Sequence, residues 1–306
     1  MQMSRYRRRI AYFYSSPYLS AWNIHLPLTT LPTALHKTMS YDYASAFGIH
    51  SVAAAVIFAV LYLPLSLWFI RQSIKNTTYV YIILTLFCAM RLTAFIIRAI
   101  LADSTKQASN EGLFIADEVL FGIGFFALLY SAYSLVLDRD VIAGGEGPAF
   151  FSLNLLRNPN LFRMLLTAGV AVSIIGTTDS TSTNPTHVST GLKLHKAGIA
   201  IFFALTIVQM VQTAWYFREE HSLKSSERKF GDRNGPYLLS LISILMLVRE
   251  VFFIATLNNS ARQNEEQLWY PLVAVPEFMA VLCYSVSGLV PTRAALKAAR
   301  QASGSI

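Results

Sequence analysis

Seven ionisable side chains interrupt the long apolar blocks of this sequence, and any chemistry inside those blocks would depend on them. Each charged group costs at least about 2.5 kcal/mol at the centre of a bilayer if it stays unpaired, so such groups are expected to face one another inside a helical bundle. Their signs are mixed, so the carboxylates could hold an amine and the guanidinium groups a phosphate. The seven are Arg91, Arg98, Asp117, Glu118, Arg249, Glu250 and Glu277.

The depth of these groups follows from a rise of about 1.5 Å per helical residue. Arg91, Arg249, Glu250 and Glu277 are predicted to lie within roughly 5 Å of the midplane. The other three form a second layer about 10 Å nearer the outer face. Together the two layers would form a polar column that opens to the outer face, with His195 at its mouth.

Pairing within this column has two interpretations. Arg98 is expected to meet Asp117 or Glu118 across a tight hairpin, and Arg91 to meet one of the two deeper glutamates. The outer three residues are candidates for structural ion pairs, whereas the midplane four and His195 are candidates for ligand binding. Buried ion pairs can also simply fix which helices are neighbours, so a purely structural role stays open for both layers.

The composition predicts the elements that position these residues. Of 306 residues, 54% are hydrophobic and 14% are charged, whereas an ordinary soluble domain carries about 25% charged residues. The stretch from Ala44 to Ile70 has no charged side chain, which is enough for a span of roughly 20 residues. We therefore expect an all-α, multi-pass transmembrane bundle of seven spans, at about 46–70, 77–101, 114–137, 160–177, 197–217, 236–257 and 269–291.

The Lys/Arg distribution predicts a cytoplasmic C-terminus and an outer N-terminus. The expected organisation is a basic, acid-poor segment 1–43, a transmembrane domain 44–292 and a cytoplasmic tail 293–306. A start at Met39, or a targeting role, would explain why the basic segment conflicts with this orientation. The net charge of +8 is attributed to loops beside anionic lipid, not to nucleic acid. The sequon at Asn258 is the one predicted to face outside.

The sequence contains few of the residues that an intramembrane enzyme or a cofactor-binding protein would need. Zinc hydrolases need converging histidines, but only His50 and His195 lie near span ends. No lysine lies in the last span for a retinal Schiff base, and the glycine-rich stretch 144–147 lacks a phosphate-binding motif. We expect no catalytic site, no metal and no cofactor.

Three segments carry a family resemblance. FCAMRLTAFIIRAILA, LFIADEVLFGIGFFALLYSAYSLVLDR and WYPLVAVPEFMAVLCYSVSGLVP resemble fungal seven-helix integral membrane proteins with no assigned activity. More distantly, the last third is similar to the fungal lipid-translocating exporter family linked to aminocholesterol resistance. Glu266, Tyr270 and Ala274-Val275-Pro276 match the spacing of that family, whereas Val273 stands where those exporters usually carry an aspartate and Glu277 follows one turn later.

The resulting expectation is a non-enzymatic protein of the plasma membrane or endomembranes. It would bind or translocate a lipid or another amphipathic molecule through the polar column. The alternative is a receptor-like sensor that couples to a cytoplasmic partner through the Arg218 to Arg233 loop. The segment from Phe150 to Leu156 could lie on the membrane surface before the fourth span.

Overall fold

The computed structural model describes residues 43–143, 159–180, 185–220 and 230–303, and every regular element within these ranges is helical. The predicted all-α class is therefore confirmed for the part of the chain described. The short helix Tyr43–Ala46 precedes the first long helix, and the short helices Thr105–Ala108, Phe230–Arg233 and Ser260–Gln263 lie in connections between long helices. The principal helices are α1 (Val52–Lys75), α2 (Tyr79–Asp103), α3 (Glu111–Ala143), α4 (Pro159–Ser180), α5 (Pro185–Glu220), α6 (Gly235–Ala255), α7 (Glu266–Trp269, Tyr270–Ala274 and Val275–Tyr284) and α8 (Arg293–Ser303).

Helices α1 to α6 are long and apolar enough to cross a membrane, judged by length and composition. Helix α7 is interrupted by a π-helical segment at Tyr270–Ala274, so none of its three parts reaches the length of a span by itself. Six apolar helices are sufficient to identify a multi-pass membrane protein whose environment is a lipid bilayer.

The outward faces of the helices are as apolar as a bilayer requires. Val60, Leu67 and Met164 each expose 61% of their surface, and many other large aliphatic side chains of α1, α2 and α6 are also exposed. A monomeric soluble protein rarely exposes so much contiguous apolar surface. Lipid chains are as apolar as these side chains, so the same surface carries no penalty in a bilayer.

Helix α3 lies at the centre of the bundle. Of its most apolar stretch, 72% is buried, compared with 22% for α4. It packs against α2, α4, α5, α6 and α8, while α1 with α2 and α4 with α5 form hairpins. Helix α6 packs against both α5 and α7. This arrangement brings α2, α3, α6 and α7, which carry all seven ionisable residues, to a common interior.

The first span begins at Val52, later than the predicted residue 46. Gly48 has φ +69° and follows a separate one-turn helix, and a Cβ at this position would lie 2.4 Å from the Asn264 carbonyl oxygen. Only glycine adopts this conformation and this close approach at no steric cost. Ser51 then caps α1 by accepting a hydrogen bond from the Ala54 N–H at 3.1 Å.

Three other boundaries differ from the prediction. Helix α3 continues through Asp138 and Arg139, which were expected in a loop, and both side chains are buried. Helix α5 begins at Pro185 instead of near residue 197, and α7 ends at Tyr284 instead of near residue 291. Apolar composition marks the part of a helix that lies in lipid, but helices continue beyond the hydrocarbon layer or stop within an apolar block.

Three predictions concern parts of the chain outside the described residues. They are the basic N-terminal segment, which lies in 1–42 apart from its last residue, the surface segment from Phe150 to Leu156, and most of the Arg218 to Arg233 loop, in which 221–229 are not described. These stay predictions.

Candidate functional site

The inner charge cluster consists of Arg91, Glu277, Arg249 and Glu250, all of them buried. Arg91 forms a two-pronged ion pair with Glu277: its Nε lies 2.7 Å from Oε2 and its Nη2 lies 2.8 Å from Oε1. Such bidentate pairs are among the strongest charge-assisted hydrogen bonds in proteins. The structure thus contains the expected pairing of Arg91 with one of the deeper glutamates.

Two further donors of Arg91 are satisfied by the backbone of α3. Its Nη1 donates to the Leu120 carbonyl at 3.2 Å and its Nη2 to the Phe121 carbonyl at 3.0 Å. Gly124 makes this approach possible, because a Cβ on it would lie 2.6 Å from the Arg91 Nη1. One glycine of α3 therefore admits a fully buried guanidinium to the centre of the bundle.

Glu277 also faces Arg249, and through it the cluster extends to Glu250. The Arg249 Nε lies 2.6 Å from Glu277 Oε1, a charge contact whose alignment does not make it a hydrogen bond. Arg249 Nη1 pairs with Glu250 Oε1. The inner charge cluster therefore holds two guanidinium groups and two carboxylates, and its formal charge is balanced.

The π-helical segment of α7 comes just before Glu277. The Val275 N–H donates to the Tyr270 carbonyl, one residue further back than in an α-helix. Pro276, which has no N–H, follows directly. The extra residue rotates the face of α7 that follows by about 100°. This rotation contributes to the direction in which Glu277 projects between α2 and α6.

The outer charge layer consists of Arg98, Asp117 and Glu118. Arg98 donates from Nε at 3.1 Å and from Nη2 at 2.9 Å to the same Asp117 oxygen, Oδ2. Its Nη2 lies 3.7 Å from Glu118 Oε1. Two carboxylates share one guanidinium, so this layer carries one negative charge in excess when all three groups are ionised.

Two further features distinguish the outer charge layer. The Asp117 Oδ1 atom is buried and has no hydrogen-bond partner within the described structure. The Glu118 side chain is 35% exposed, whereas each of the other six ionisable side chains is at most 8% exposed. Glu118 is thus the one of the seven side chains that is partly exposed, and it belongs to the layer with the excess negative charge.

Aromatic rings separate and cover the two groups. The Arg98 guanidinium lies 4.0 Å from the Trp269 ring centroid and 4.6 Å from that of Phe121. The same Phe121 ring lies 4.6 Å from the Arg91 guanidinium, and Arg249 lies 3.8 Å from the ring of Phe125. Cation–π contacts of this kind stabilise a desolvated guanidinium by up to about 2 kcal/mol.

His195 is not brought into contact with either group by any of the contacts found among the described residues. It lies on α5, where its backbone nitrogen would be 2.5 Å from a Cβ placed on Gly176, so it packs against α4. The neighbouring Lys196 donates to the Asn258 Oδ1 at 2.8 Å. Asn258 lies in an exposed turn after α6, and its glycosylation stays a prediction.

The side chain of Arg139 connects several parts of the bundle, a role that could not be predicted from the sequence. Its guanidinium is buried and donates to the Leu289 carbonyl at 2.7 Å, to the Asp232 Oδ1 at 2.8 Å and to the Tyr216 hydroxyl at 3.1 Å. It therefore joins the end of α3 to three other parts of the chain. Its position at the end of an apolar block gave no signal that separates it from an ordinary cytoplasmic arginine.

Glu266, which the exporter resemblance singled out, contacts the start of α1. Its carboxylate accepts hydrogen bonds from the backbone N–H of His50 at 3.0 Å and of Ser51 at 3.0 and 3.1 Å. A carboxylate at a helix N-terminus is favourable because the free N–H groups and the helix dipole point toward it. Val273, at the position where the exporters carry an aspartate, is buried within the π-helical segment.

Metal-binding geometry is absent from the part of the chain that the structure describes: no group of three or more His, Cys, Asp or Glu side chains is arranged to hold an ion there.

Comparison with family models shows that residues 48–294 match the family described as "Domain of unknown function (DUF7702)". Neither the curated proteins nor the solved structures gave a match, so the resemblance to lipid-translocating exporters has no support from them.

Proposed function

The chain belongs to the DUF7702 family, and from the geometry of its two charged groups we propose that it is a non-enzymatic, seven-span membrane protein that binds an amphipathic molecule with a cationic head. The head would lie at the outer charge layer, beside Glu118, and the apolar tail would lie in the lipid along the bundle. The observation that carries this proposal is the unbalanced negative charge of that layer, in which one of the two carboxylates, Glu118, is partly exposed.

The proposed topology counts α7 as the seventh span. Its three segments run without a break from Glu266 to Tyr284, which is close to the roughly 20 residues that a span needs. Exposed basic side chains at the end of α1 and on α8 would lie in the cytoplasm, together with the C-terminus. This orientation places the outer charge layer on the non-cytoplasmic side.

The inner charge cluster is the weaker candidate for a ligand head. Both of its guanidinium groups and both of its carboxylates have opposite-charge partners, and all four side chains are at most 8% exposed. A head group would first have to separate a buried ion pair, which costs several kcal/mol for each charge left unpaired. The outer charge layer needs no such opening, because a cation there neutralises charge that is already in excess.

A primary or quaternary amine is the head group that fits the outer charge layer best. An ammonium ion near Glu118 would pair with the surplus carboxylate, and the nearby rings of Trp269 and Phe121 already stabilise one cation. A phosphate head would meet net negative charge instead. Translocation, in contrast to binding, would additionally require the inner charge cluster to separate.

Binding of simple amphiphiles to the purified full chain tests this proposal. Calorimetric titration with dodecylamine and with dodecyl phosphate should show saturable binding of the amine only. Glu118→Gln should weaken amine binding about tenfold or more, because the surplus charge is removed. Glu111→Gln is the matched control, since Glu111 is an exposed carboxylate at the start of the same helix.

Equal affinity of wild type and Glu118→Gln for dodecylamine would contradict the proposed head site. Binding of dodecyl phosphate, lost in Arg91→Met, would move the site to the inner charge cluster. The receptor alternative depends on the Arg218 to Arg233 loop, and no contact among the described residues of that loop favours it.

A further inference from the structure

Helix α8 presents two exposed basic side chains that lie one turn apart. Arg293 and Lys297 are four residues apart, and no acidic residue lies within Arg293–Ser303. Leu296, the one large apolar residue of this helix, is buried, and α8 packs against α3. The side chains of Arg293 and Lys297 are exposed. Leu296 lies three residues after Arg293 and directly before Lys297, so the buried leucine fixes α8 to the bundle between two exposed basic side chains.

The start of α8 is joined to the turn between α1 and α2. The Arg293 N–H donates to the Asn76 Oδ1 at 3.2 Å, and the Asn76 Nδ2 donates to the Pro291 carbonyl at 3.5 Å. Arg71 and Lys75, both exposed, lie in the last turns of α1 directly before Asn76. Two segments that are far apart in the sequence thus place their basic residues at the same end of the bundle.

None of the four exposed basic residues takes part in an ion pair found among the described residues. This contrasts with the buried arginines of the bundle, each of which has a carboxylate partner. Ile74, beside Lys75, exposes 78% of its surface at the same end. Unpaired positive charge next to an exposed aliphatic side chain is typical of a surface that lies at the boundary between head groups and acyl chains.

We propose that Arg71, Lys75, Arg293 and Lys297 form a binding surface for anionic phospholipid head groups, here called the basic platform. The four side chains belong to the ends of a span and of the helix that follows the last span, so they lie at the depth of the lipid phosphates. A free cytoplasmic anion would gain only the charge contact, whereas a lipid also places its chains against Ile74 and the neighbouring apolar face of α1. The platform is separate from the outer charge layer, at the opposite end of the bundle.

Counting of bound lipids on the intact full chain tests the basic platform. The protein in detergent is titrated with dioctanoyl phosphatidylserine or dioctanoyl phosphatidylcholine, and retained lipids are counted by native mass spectrometry. Wild type should retain phosphatidylserine in preference to phosphatidylcholine. The double variant Arg293→Gln/Lys297→Gln should bind phosphatidylserine about fivefold more weakly for each charge removed. Arg262→Gln, an exposed arginine in the connection between α6 and α7, should bind as wild type does.

Two controls separate the binding of a lipid from the binding of a free anion and from contacts that do not depend on charge. Sodium phosphate at the concentration of the lipid should leave phosphatidylserine bound, and displacement would overturn the assignment to lipid. If the double variant fails to fold, wild type is measured at low and high salt, where screening should abolish the preference. A preference that resists salt, equal retention by wild type and double variant, or equal binding of the two lipids by wild type would each overturn the proposal.

Discussion

The inner charge cluster and the outer charge layer use the same chemistry on the same helices, and they differ in balance and exposure. Arg91 and Arg98 lie seven residues apart on α2, and each pairs with a carboxylate of a neighbouring helix. The inner guanidinium groups meet an equal number of carboxylates and are sealed from the surface. The outer guanidinium meets two carboxylates, one of them partly exposed. The difference between the two groups is therefore one of charge balance: the inner group is neutral, whereas the outer one has one carboxylate more than it has guanidinium groups.

The largest expected effect is loss of stability on breaking the inner charge cluster. Arg91→Met keeps most of the side-chain volume but leaves Glu277 with only Arg249 and leaves two backbone carbonyls without this donor. Removing one partner of a buried ion pair costs about 3–5 kcal/mol. Thermal unfolding of the purified protein in detergent should show a large drop in the transition temperature.

Leu86→Ala is the control for Arg91→Met, because Leu86 lies on the same helix and is 58% exposed to lipid. Its effect on the unfolding transition should be small. A transition temperature of Arg91→Met that equals that of the control would show that the inner charge cluster does not hold the bundle together.

The second-largest expected effect is the loss of stability when the space beside the buried Arg91 guanidinium is filled. Gly124→Ala adds a methyl group 2.6 Å from the Arg91 Nη1, and overpacking of a close-packed interior costs about 1–3 kcal/mol. Gly122→Ala lies two residues away on α3, and nothing within 4 Å would meet its methyl group. Alanine has the higher helix propensity, so Gly122→Ala should be neutral or slightly stabilising.

The two alanine variants are compared by thermal unfolding under identical conditions. The expected order of transition temperatures is Gly122→Ala at or above wild type, and Gly124→Ala clearly below. Equal transition temperatures for the two variants would mean that Arg91 does not occupy the position beside Gly124.

These glycines also show how far the sequence could predict the site. Helix depth and charge predict that Arg98 and Arg91 each meet a carboxylate at their own level, because unpaired charge is costly in lipid. They do not distinguish Asp117 from Glu118 or Glu277 from Glu250, and only the structure does so. The role of Gly124 could not be predicted, since it depends on the distance between α2 and α3. Arg139 was misplaced for a related reason: its carbonyl partners come from parts of the chain that only the tertiary fold brings together.

The helices show the same limit: their approximate lengths could be predicted from the sequence, but some of their boundaries could not. Of the seven predicted spans, six coincide with helices that are long and apolar enough to cross a membrane, because lipid thickness sets that length regardless of packing. The start of α1 instead depends on Gly48 and on the carboxylate of Glu266, which lies more than 200 residues away in the sequence. Local composition contains no information about such a long-range contact.

The smallest expected effect distinguishes the two carboxylates of the outer charge layer. A double-mutant cycle between Arg98→Met and Asp117→Asn should give a coupling energy of about 1–3 kcal/mol, because the pair is buried and doubly hydrogen-bonded. The corresponding cycle between Arg98→Met and Glu118→Gln should give less than about 1 kcal/mol, since the atoms are 3.7 Å apart and Glu118 is partly screened by solvent. Both cycles are measured by unfolding of the ligand-free protein. If Glu118 couples to Arg98 as strongly as Asp117 does, its charge is already used inside the bundle, and the outer charge layer has no surplus carboxylate for a cationic head.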